Sequence, residues 1–463
     1  MAGFILGVPA AVLNLVQSGL LERAFHDGLV PALQYRAESE FEEWPANTGT
    51  EIFMTRPGLL TPVVTPIAPN TDPTPQVVSF EQWVASLARY ASTIDTNIPT
   101  STVANGDLFL RNIHQLGIQA GMSLNRIPRN ALFQAYASGQ TCLIANALTG
   151  DTQIRVAALN GFTDVIIKGT NVRPVPVSTA TPLSITIVGI TGARNVIGYA
   201  PDNPDDPQGP GTLFLDAVLG AGVSARAPVK SSAAPLIIRS GGGLSVDAIT
   251  SGDSFVLQDL INAVSKLRRN NVGPHEDGFY HAHISNDANS QVFTDPAFQR
   301  LNTALPDHVY YREAFLGTIA GCACFLNNEA PETLNSGNLV ATGTNAQYSQ
   351  DISAETTNES GVGIGRIIVT GRGSLYERGL DESQYVTEAG ITGKVGEFQI
   401  VNAGIEVATE RVRLILRAPL DRLQQVVSAT WSISTSFPVP SDITSGGPQR
   451  FKRAVIIEHA MNG

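Results

Sequence analysis

The segment from Pro31 to Pro75 holds eight prolines and no long periodic run of apolar residues. Its extended pieces, Glu51–Thr55 and Leu60–Ile67, are short, so its few apolar side chains cannot offset the conformational entropy lost when the segment becomes ordered. Proline also lacks the backbone N–H that the interior of a helix or sheet requires. We therefore expect an extended arm followed by a long loop that must lie on another surface. In an oligomer, that surface can belong to a neighbouring copy.

The chain as a whole has the composition of a folded protein. Its 463 residues, 43% of them hydrophobic, allow two to four domains of roughly 100–200 residues each and exclude disorder of the whole chain. Lys and Arg number 30 against 41 Asp and Glu, a net charge of −11. This balance argues against specific DNA recognition, because DNA-binding domains carry a basic patch and a high pI.

Cysteine and apolar content bear on the compartment. Cys142, Cys322 and Cys324 cannot form a disulfide framework, and the C-x-C pair is too tightly spaced for an ordinary bridge, so we expect a reducing compartment. The apolar run Phe4–Val16 resembles a signal-peptide core, but no Lys or Arg precedes it and the first basic residue is Arg23. No other run reaches the roughly 18 apolar residues of a membrane span. We expect a soluble, unexported chain with no membrane partner.

Helical spacing of apolar residues predicts three helices. The first covers Ala11–Phe25 and the third Ser254–Leu267. The second, Leu108–Ile127, has the strongest pattern, and we expect Pro128 to kink or end it, with residues 129–136 continuing beyond. Glycines inside it lower its intrinsic stability by roughly 1 kcal/mol each, so packing must hold this helix.

Alternating apolar and polar residues predict strands elsewhere. Residues 151–243 contain short alternating runs, such as Leu183–Val188 and Gly211–Leu215, separated by turn clusters, and we predict a small inserted all-β domain there. Alternation returns near the C-terminus, in Val412–Leu416 and Trp431–Phe437, and predicts an antiparallel closing sheet. The fold class is therefore α+β.

The densest polar cluster is Pro274–His283. His281 and His283 are two apart on a predicted strand and can share a metal, with Glu276 or Asp277 nearby. This is the basis of one alternative function, a metal-dependent hydrolase. We favour a half-buried strand whose polar side chains bond to neighbours, and we predict no catalytic residue, no metal site and no cofactor.

Two other motifs have plain structural interpretations. Cys322-Ala-Cys324 can present two thiols, but small alternating residues also suit a tightly packed strand, since free Cys behaves as a small hydrophobe. The Gly361–Gly365 run lacks the Lys-Ser/Thr and the strand-helix context of a nucleotide loop. We expect a loop that leads into a strand at Arg366–Thr370.

Three segments resemble the major capsid proteins of tailed bacteriophages: Asp277–Gln299, Tyr311–Gly317 and Phe325–Pro331. That family shares the Hong Kong 97-like fold. The resemblance implies an N-terminal arm at 1–46, an extended loop at 47–80, a peripheral domain at 81–150 and 398–463 with its spine helix at 105–137, an axial domain at 244–397 and, beyond the minimal fold, the inserted β-rich domain at 151–243. It implies no catalytic site, and no cross-linking Lys and Asn can be aligned.

The function implied by this resemblance is that of a non-enzymatic major capsid subunit. Copies would self-assemble into hexamers and pentamers of an icosahedral head, contact the enclosed double-stranded DNA non-specifically, and be located in the virion after assembly in the host bacterial cytoplasm. Scaffolding, portal and decoration proteins stay open as partners. A second alternative function is a β-rich tail protein or adhesin that binds through residues 151–243, which leaves the long central helix unexplained.

Overall fold

The computed structural model is a mixed α+β protein. It describes residues 20–29, 33–45, 48–57, 60, 62–76, 80–97, 108–166, 171–172, 174–244, 246–302, 317–327, 329–331, 333–334, 362–380, 397–404, 411–417, 425–440 and 453–461. These residues group into two compact units. The first is drawn from residues 1–53, 84–131 and 375–438, and the second from residues 54–83, 132–374 and 439–463.

The described residues contain five α-helices and twenty-four strands. The helices are α1 (Leu20–Leu29), α2 (Leu108–Tyr136), α3 (Leu257–Arg269), α4 (Asn286–Thr294) and α5 (Pro296–Asn302). The strands are β1 (Ser39–Glu43), β2 (Glu51–Pro57), β3 (Phe80–Ser86), β4 (Ala88–Asn97), β5 (Gln140–Cys142), β6 (Gln153–Val156), β7 (Asp164–Ile166), β8 (Asn171–Val172), β9 (Pro174–Pro176), β10 (Leu183–Ile187), β11 (Arg194–Pro201), β12 (Gly211–Leu215), β13 (Pro228–Ser231), β14 (Ile237–Arg239), β15 (Tyr280–Ile284), β16 (Thr318–Ile319), β17 (Cys322–Leu326), β18 (Thr333–Leu334), β19 (Gly363–Thr370), β20 (Leu375–Gly379), β21 (Glu397–Gly404), β22 (Arg411–Arg417), β23 (Val426–Ser436) and β24 (Ala454–Ala460). No helix in the described ranges is long and apolar enough to cross a bilayer.

The first unit is built on a six-stranded sheet with β23 at its centre. One edge of β23 pairs antiparallel with β4 from Val426↔Asn97 to Thr435↔Ala88, and its other edge pairs with β22 and β20. The sheet continues to β21 on one side and to β1 on the other. The alternation seen in residues 412–416 and 431–437 thus gives neighbouring antiparallel strands, as predicted.

One apolar core joins this sheet to α1 and α2. Its buried members come from both helices and from β22 and β23: Phe25, Leu29, Phe109, Ile113, Leu116, Ala120, Leu124, Val412, Leu414, Val427, Ala429, Trp431 and Ile433. The helical members follow the three-and-four spacing that predicted the central helix. The Trp431 indole N–H also donates to Gln119 Oε1 at 3.1 Å, which satisfies the polar atom of this buried ring.

Helix α2 is one uninterrupted helix of 29 residues with Pro128 inside it. The helix does not end at Pro128, so that part of the prediction is wrong. The predicted continuation over residues 129–136 is confirmed. Leu124 and Leu132, on either side of the proline, are fully buried. Packing at these positions offsets the roughly 3 kcal/mol that an interior proline costs a helix.

Two glycines allow α1 to pack directly on the backbone of α2. A Cβ on Gly117 would lie 2.3 Å from the carbonyl oxygen of Phe25, and one on Gly28 would lie 2.6 Å from that of His114. The His114 ring also bonds to the carbonyl oxygen of Ala24 through Nδ1, at 3.1 Å. Gly117 thus lowers the intrinsic stability of the helix but permits this close crossing. The described part of the N-terminal helix ends at Leu29, four residues beyond its predicted end, and residues 11–19 lie outside the described ranges.

The second unit contains a seven-stranded sheet in the order β14-β24-β19-β15-β17-β16, with β18 also on β19. Helices α3, α4 and α5 pack against it around a core that includes Phe255, Leu260 and Phe298. The Ser285 side chain accepts the N–H of Ala288 and caps α4, a helix whose bounds the sequence pattern does not predict. Asp295, just after α4, accepts the N–H of Leu257 at 3.0 Å and so caps α3.

Strand β24 differs from its expected place. The resemblance implies that it belongs to the peripheral domain with the rest of residues 398–463, but it pairs parallel with β14 and antiparallel with β19. All seven of its residues are buried. A central strand that is covered on both faces is buried at successive positions. β24 therefore shows no alternation from which its buried face or its partner strands can be inferred.

The inserted β-rich region is a closed barrel. Its six strands run in the order β5-β13-β10-β11-β12-β6. Leu143, directly after β5, pairs with Val156 of β6, and the N–H of Ile144 donates to the carbonyl oxygen of Arg155 at 3.0 Å. The first and last strands therefore meet. The barrel begins at Gln140, earlier than the predicted boundary at residue 151, because the three residues of β5 are too few to show a pattern.

Apolar side chains fill the barrel interior. Its fully or almost fully buried residues are Leu143, Ala147, Ile154, Val156, Leu159, Phe162, Val177, Leu183, Ile185, Ile187, Val196, Leu213, Leu215, Leu219, Val223 and Val229. Six strands enclose only enough space for such side chains. The barrel is therefore a packed module with its own core.

Candidate assembly surface

A small three-stranded sheet, β2-β3-β8, supports the predicted extended loop. Met54 on β2 and Trp83 on β3, which mark the base of this loop, are both only 6% exposed. The Arg56 guanidinium lies 5.9 Å from the Trp83 ring centroid, within cation–π range. The predicted extended piece at residues 51–55 is confirmed as part of β2, and these contacts fix the two ends from which the loop departs.

Beyond this base the chain forms an exposed segment, residues 60 and 62–76, which we call the strap. All of its residues are exposed and none belongs to a helix or strand. The exposed fractions of its apolar side chains are large, 71% at Val63, 91% at Val64 and 54% at Ile67. The predicted loop at Leu60–Ile67 therefore exists without a core of its own.

The chemistry of the strap suits contact with a protein surface. It contains five prolines and a single charged residue, Asp72. Proline fixes the backbone in an extended form and leaves few N–H groups to pair. Such a segment presents apolar side chains at low entropic cost, but it offers no set of ligands for a metal or a phosphate.

The polar cluster at residues 274–283 is a set of side chains bonded to one another. His281 Nε2 lies 2.9 Å from Asp277 Oδ2, and the His281 ring stacks on that of His275 at 4.0 Å between centroids. Burial acts to raise the pKa of the Asp277 carboxyl, but hydrogen bonds from the Phe279 N–H and His281, with the nearby histidines, bring that pKa below its ordinary value. Asp277 is thus held as a carboxylate that orients His281.

His281 and His283 are not arranged as a shared metal site. His283 is 1% exposed, and its Nδ1 lies 3.4 Å from the Asn327 side-chain nitrogen. Both rings contact Phe325, which shows that they share one face of β15 as predicted. Among the described residues, no group of three ligand-type side chains contains both histidines. Glu276 faces solvent and pairs with Arg372 at 3.4 Å. This geometry does not support the hydrolase alternative.

The two remaining motifs are structural elements. Cys322 and Cys324 are both buried in the core of the second unit, which confirms the packing interpretation of the C-x-C pair. The strand predicted at Arg366–Thr370 is confirmed and extends from Gly363. Gly361 and the motif residues 311–316 lie outside the described residues.

Sequence reasoning missed a buried ion pair in the first unit. Arg36 donates from Nε and Nη2 to the two oxygens of Glu377 at 3.0 and 2.6 Å. The Thr435 hydroxyl also donates to Glu377 at 3.2 Å. Both charged side chains are almost fully buried. The pair joins the chain just before β1 to β20 and so fixes the path of the N-terminal segment.

A second missed network crosses three strands of the second unit. Glu458 on β24 accepts from Arg366 on β19 at 3.0 Å and from Arg239 on β14 at 2.9 Å. Burial acts to raise the pKa of the Glu458 carboxyl, but the two guanidinium groups hold it below its ordinary value. A signal was present in the sequence, because Glu458 and Arg366 are charged residues inside apolar runs, and such residues need a partner when buried.

Comparison with known proteins gave matches among solved structures. No protein-family model and no curated protein matches the sequence. The chain is similar to the capsid of cyanophage P-SCSP1u (TM-score 0.46, 12% identity, covering 93% of this chain and 89% of that one). It is similar to the capsid of Ralstonia phage GP4 (TM-score 0.46, 10% identity, 93% and 89%) and to that of cyanophage Pam1 (TM-score 0.46, 10% identity, 94% and 92%). The structures matched are phage capsids, the class of protein that the sequence resembles.

Proposed function

We propose that the chain is the major capsid subunit of a tailed bacteriophage, with the Hong Kong 97-like fold, that self-assembles into the hexamers and pentamers of an icosahedral head. The observation that carries this proposal is the strap. The side chains of Val63, Val64 and Ile67 in the strap are exposed to water, next in sequence to the small sheet β2-β3-β8. A segment of this kind is stabilised only when a second surface covers it, and a repeating shell supplies that surface at every subunit.

The energetics of the strap suit a shell. Full burial of a Val or Ile side chain contributes roughly 1.5–3 kcal/mol, so one strap adds several kcal/mol before the cost of ordering it. A single contact of this strength is modest. Closed symmetry repeats it in every subunit, and linked weak contacts then give an assembly much more durable than any one of them.

Each part of the structure takes a role in this proposal. Helix α2 is the spine helix, the sheet around β23 belongs to the peripheral domain, and the sheet around β19 belongs to the axial domain. The barrel at residues 140–231 is the insertion, and its filled interior favours a packing or contact role over ligand binding. Because β24 pairs with β14 and β19, we assign residues 454–460 to the axial domain.

The environment follows from the same proposal. The subunit functions in the virion after assembly in the host cytoplasm and encloses double-stranded DNA. With a net charge of −11, it contacts DNA weakly and without sequence preference, which leaves the genome free to be ejected. Scaffolding, portal and decoration proteins are the partners that such a head uses.

Sedimentation velocity of the recombinant chain, with negative-stain electron microscopy of the fast fraction, tests the proposal. We expect pentamers, hexamers or shells. In Val63→Asp/Val64→Asp, two charges replace the most exposed apolar side chains of the strap, and we expect the large particles to be lost while the melting temperature of the subunit is unchanged.

Ile261→Asp is the matched control. Ile261 is an exposed apolar residue on α3, 40% accessible and outside the strap. This variant should assemble as the parent does. A chain that stays monomeric in every salt and concentration tested, alone and with scaffolding protein, would contradict the proposal.

A further inference from the structure

The two ends of the barrel differ in their connection to the chain. The chain enters at Gly139 and leaves after Ser231, and these residues are bonded to each other, Ser231 N–H to Gly139 O at 2.8 Å. The loops on the same end are residues 157–164, 177–182 and 201–210, which we call the barrel base. The strand registers place residues 144–152, 188–195 and 216–227 at the opposite end, which we call the barrel tip.

Hydrogen bonds join the three loops of the barrel tip into one surface. Arg194 donates to the carbonyl oxygens of Val218 and Leu219 at 3.1 and 2.7 Å. The N–H of Gly220 donates to the carbonyl oxygen of Thr149 at 3.0 Å. The side chains of these loops are therefore presented in fixed positions.

The barrel tip exposes apolar side chains that the base does not. Leu148 is 69% exposed, Val218 49% and Val188 47%. The large apolar residues of the base, such as Leu159 and Phe162, are fully buried. Tyr199 on β11 and Phe214 on β12 are less exposed, at 37% and 38%. The three most exposed apolar side chains among the described residues of the barrel thus lie at the end farthest from the chain connections.

The barrel base and the barrel tip also differ in the charged residues that they carry. The three loops of the barrel base carry four aspartates, Asp164, Asp202, Asp205 and Asp206, and no Lys or Arg, while the connection between the first two loops, residues 165–176, carries Lys168 and Arg173. The tip carries two aspartates and two arginines, so its net charge is zero. Two copies of a chain with a net charge of −11 repel each other over most of their surface. The tip is a place where that repulsion is absent and apolar contact is available.

We propose that the barrel tip is a contact surface between two copies of this chain, which meet tip to tip about a two-fold axis. Such an interface is isologous, so a neutral apolar patch is complementary to itself. Three exposed apolar side chains are far fewer than the 20–30 residues a side of an interface that is stable on its own. The patch therefore suits a partner already held nearby by other contacts, and in this respect the inference rests on the proposed capsid function.

Cross-linking of the full chain tests this contact. In Val218→Cys the new thiols of two copies would lie close together, and a short bismaleimide should convert the protein to covalent dimers. Leu244→Cys is the matched control, since Leu244 is 70% exposed, lies outside the barrel and belongs to the same unit. The parent chain, with Cys142 half-buried and Cys322 and Cys324 buried, gives the background.

A second pair of variants tests the contribution to assembly. Leu148→Asp/Val218→Asp should reduce the yield or salt stability of particles, whereas Leu244→Asp should not. Particles equal in yield and stability for both variants, with no dimer through residue 218, would overturn the tip contact and leave the capsid function standing.

If the parent forms no particles on its own, the same cross-linking is carried out on particles assembled with the scaffolding protein, in which other contacts hold the copies together. Dimers through residue 218 and not through residue 244 support the tip contact, and their absence from assembled particles overturns it. Flotation of the parent with phosphatidylcholine vesicles, abolished by Leu148→Asp/Val218→Asp, would also overturn it, because the patch would then serve a membrane.

Discussion

Strand β24 and the strap are both extended and rich in apolar residues, yet they have opposite environments. All seven residues of β24 are buried, while every described residue of the strap is exposed. The difference is proline. β24 contains none and pairs on both edges, whereas the strap has five prolines and cannot donate the hydrogen bonds of a central strand. Apolar content alone therefore does not place a segment in a core, because the backbone N–H and C=O groups of a buried segment must also form hydrogen bonds.

The largest expected effect comes from the charge inside β24. Replacing Glu458 by Ala leaves the Arg366 and Arg239 guanidinium groups without their buried partner, and loss of one member of such a pair costs about 3–5 kcal/mol. Urea unfolding of Glu458→Ala against the parent measures it. Glu276→Ala, which removes an exposed partner of Arg372, is the control and should change the stability little.

The same network predicts sensitivity to acid. The pKa of Glu458 is lower in the folded state than its ordinary value of 4.5. Its stabilising contribution is therefore fully present above about pH 4.5 and is lost as pH falls through the folded pKa. A stability profile of the Glu458→Ala variant that falls as steeply as the parent's below pH 4.5 would contradict this assignment.

A smaller effect is expected from an apolar side chain of the same strand. Ile457 is fully buried in the core of the second unit, and Ile457→Ala should cost about 2–5 kcal/mol through lost burial and the cavity left behind. Ile457→Val, which removes one methyl group, should cost about 0.5–1.5 kcal/mol. Equal stability of the two variants by urea unfolding would show that β24 is not packed as described.

The sequence predicted elements wherever a periodic pattern was present. The bounds of β12 match the prediction at both ends, and the spacing of apolar residues indicated α2 even though Pro128 lies inside it. The strap was predicted because proline acts locally. These features depend on residues that are close in sequence. Propensity and periodicity carry information only over that short range.

Features that depend on distant residues were not predicted. Arg36 and Glu377 are 341 residues apart, and no local pattern indicates that they form a pair. The partners of β24 and the closure of the barrel through Leu143 and Val156 are likewise long-range. At the histidine cluster the sequence pattern indicated His281 and Asp277 as candidates, but only the folded structure shows that they bond to each other, with His283 buried apart from them.

A further prediction concerns His459, the neighbour of Glu458 on β24. Its Nδ1–H donates to the carbonyl oxygen of Ala460 at 2.9 Å, and its Nε2 has no hydrogen-bonding partner among the described residues. Burial lowers the pKa of His459, against the opposing effects of the Ala460 hydrogen bond and Asp287. The unfolded chain then binds a proton more readily than the folded one below about pH 6.5.

Stability should therefore decrease as pH falls below about 6.5, and His459→Asn should flatten that part of the profile. His26→Asn, on α1, is the control variant. Thermal unfolding between pH 5 and pH 7.5 measures the slope. The strap, whose only ionisable side chain is Asp72, should contribute nothing in this range.

The smallest effect on the folded subunit is expected in the strap itself. Val64 is 91% exposed, so Val64→Ala removes almost no buried surface and should change the free energy of unfolding of the monomer by no more than about 0.5 kcal/mol. The same truncation at Ile457 is expected to cost several times as much. If Val64→Ala destabilised the isolated monomer by 2 kcal/mol, the strap would already have a partner within its own chain. If it left the monomer unchanged but weakened assembled particles, the burial missing from the strap would be supplied by a neighbouring copy.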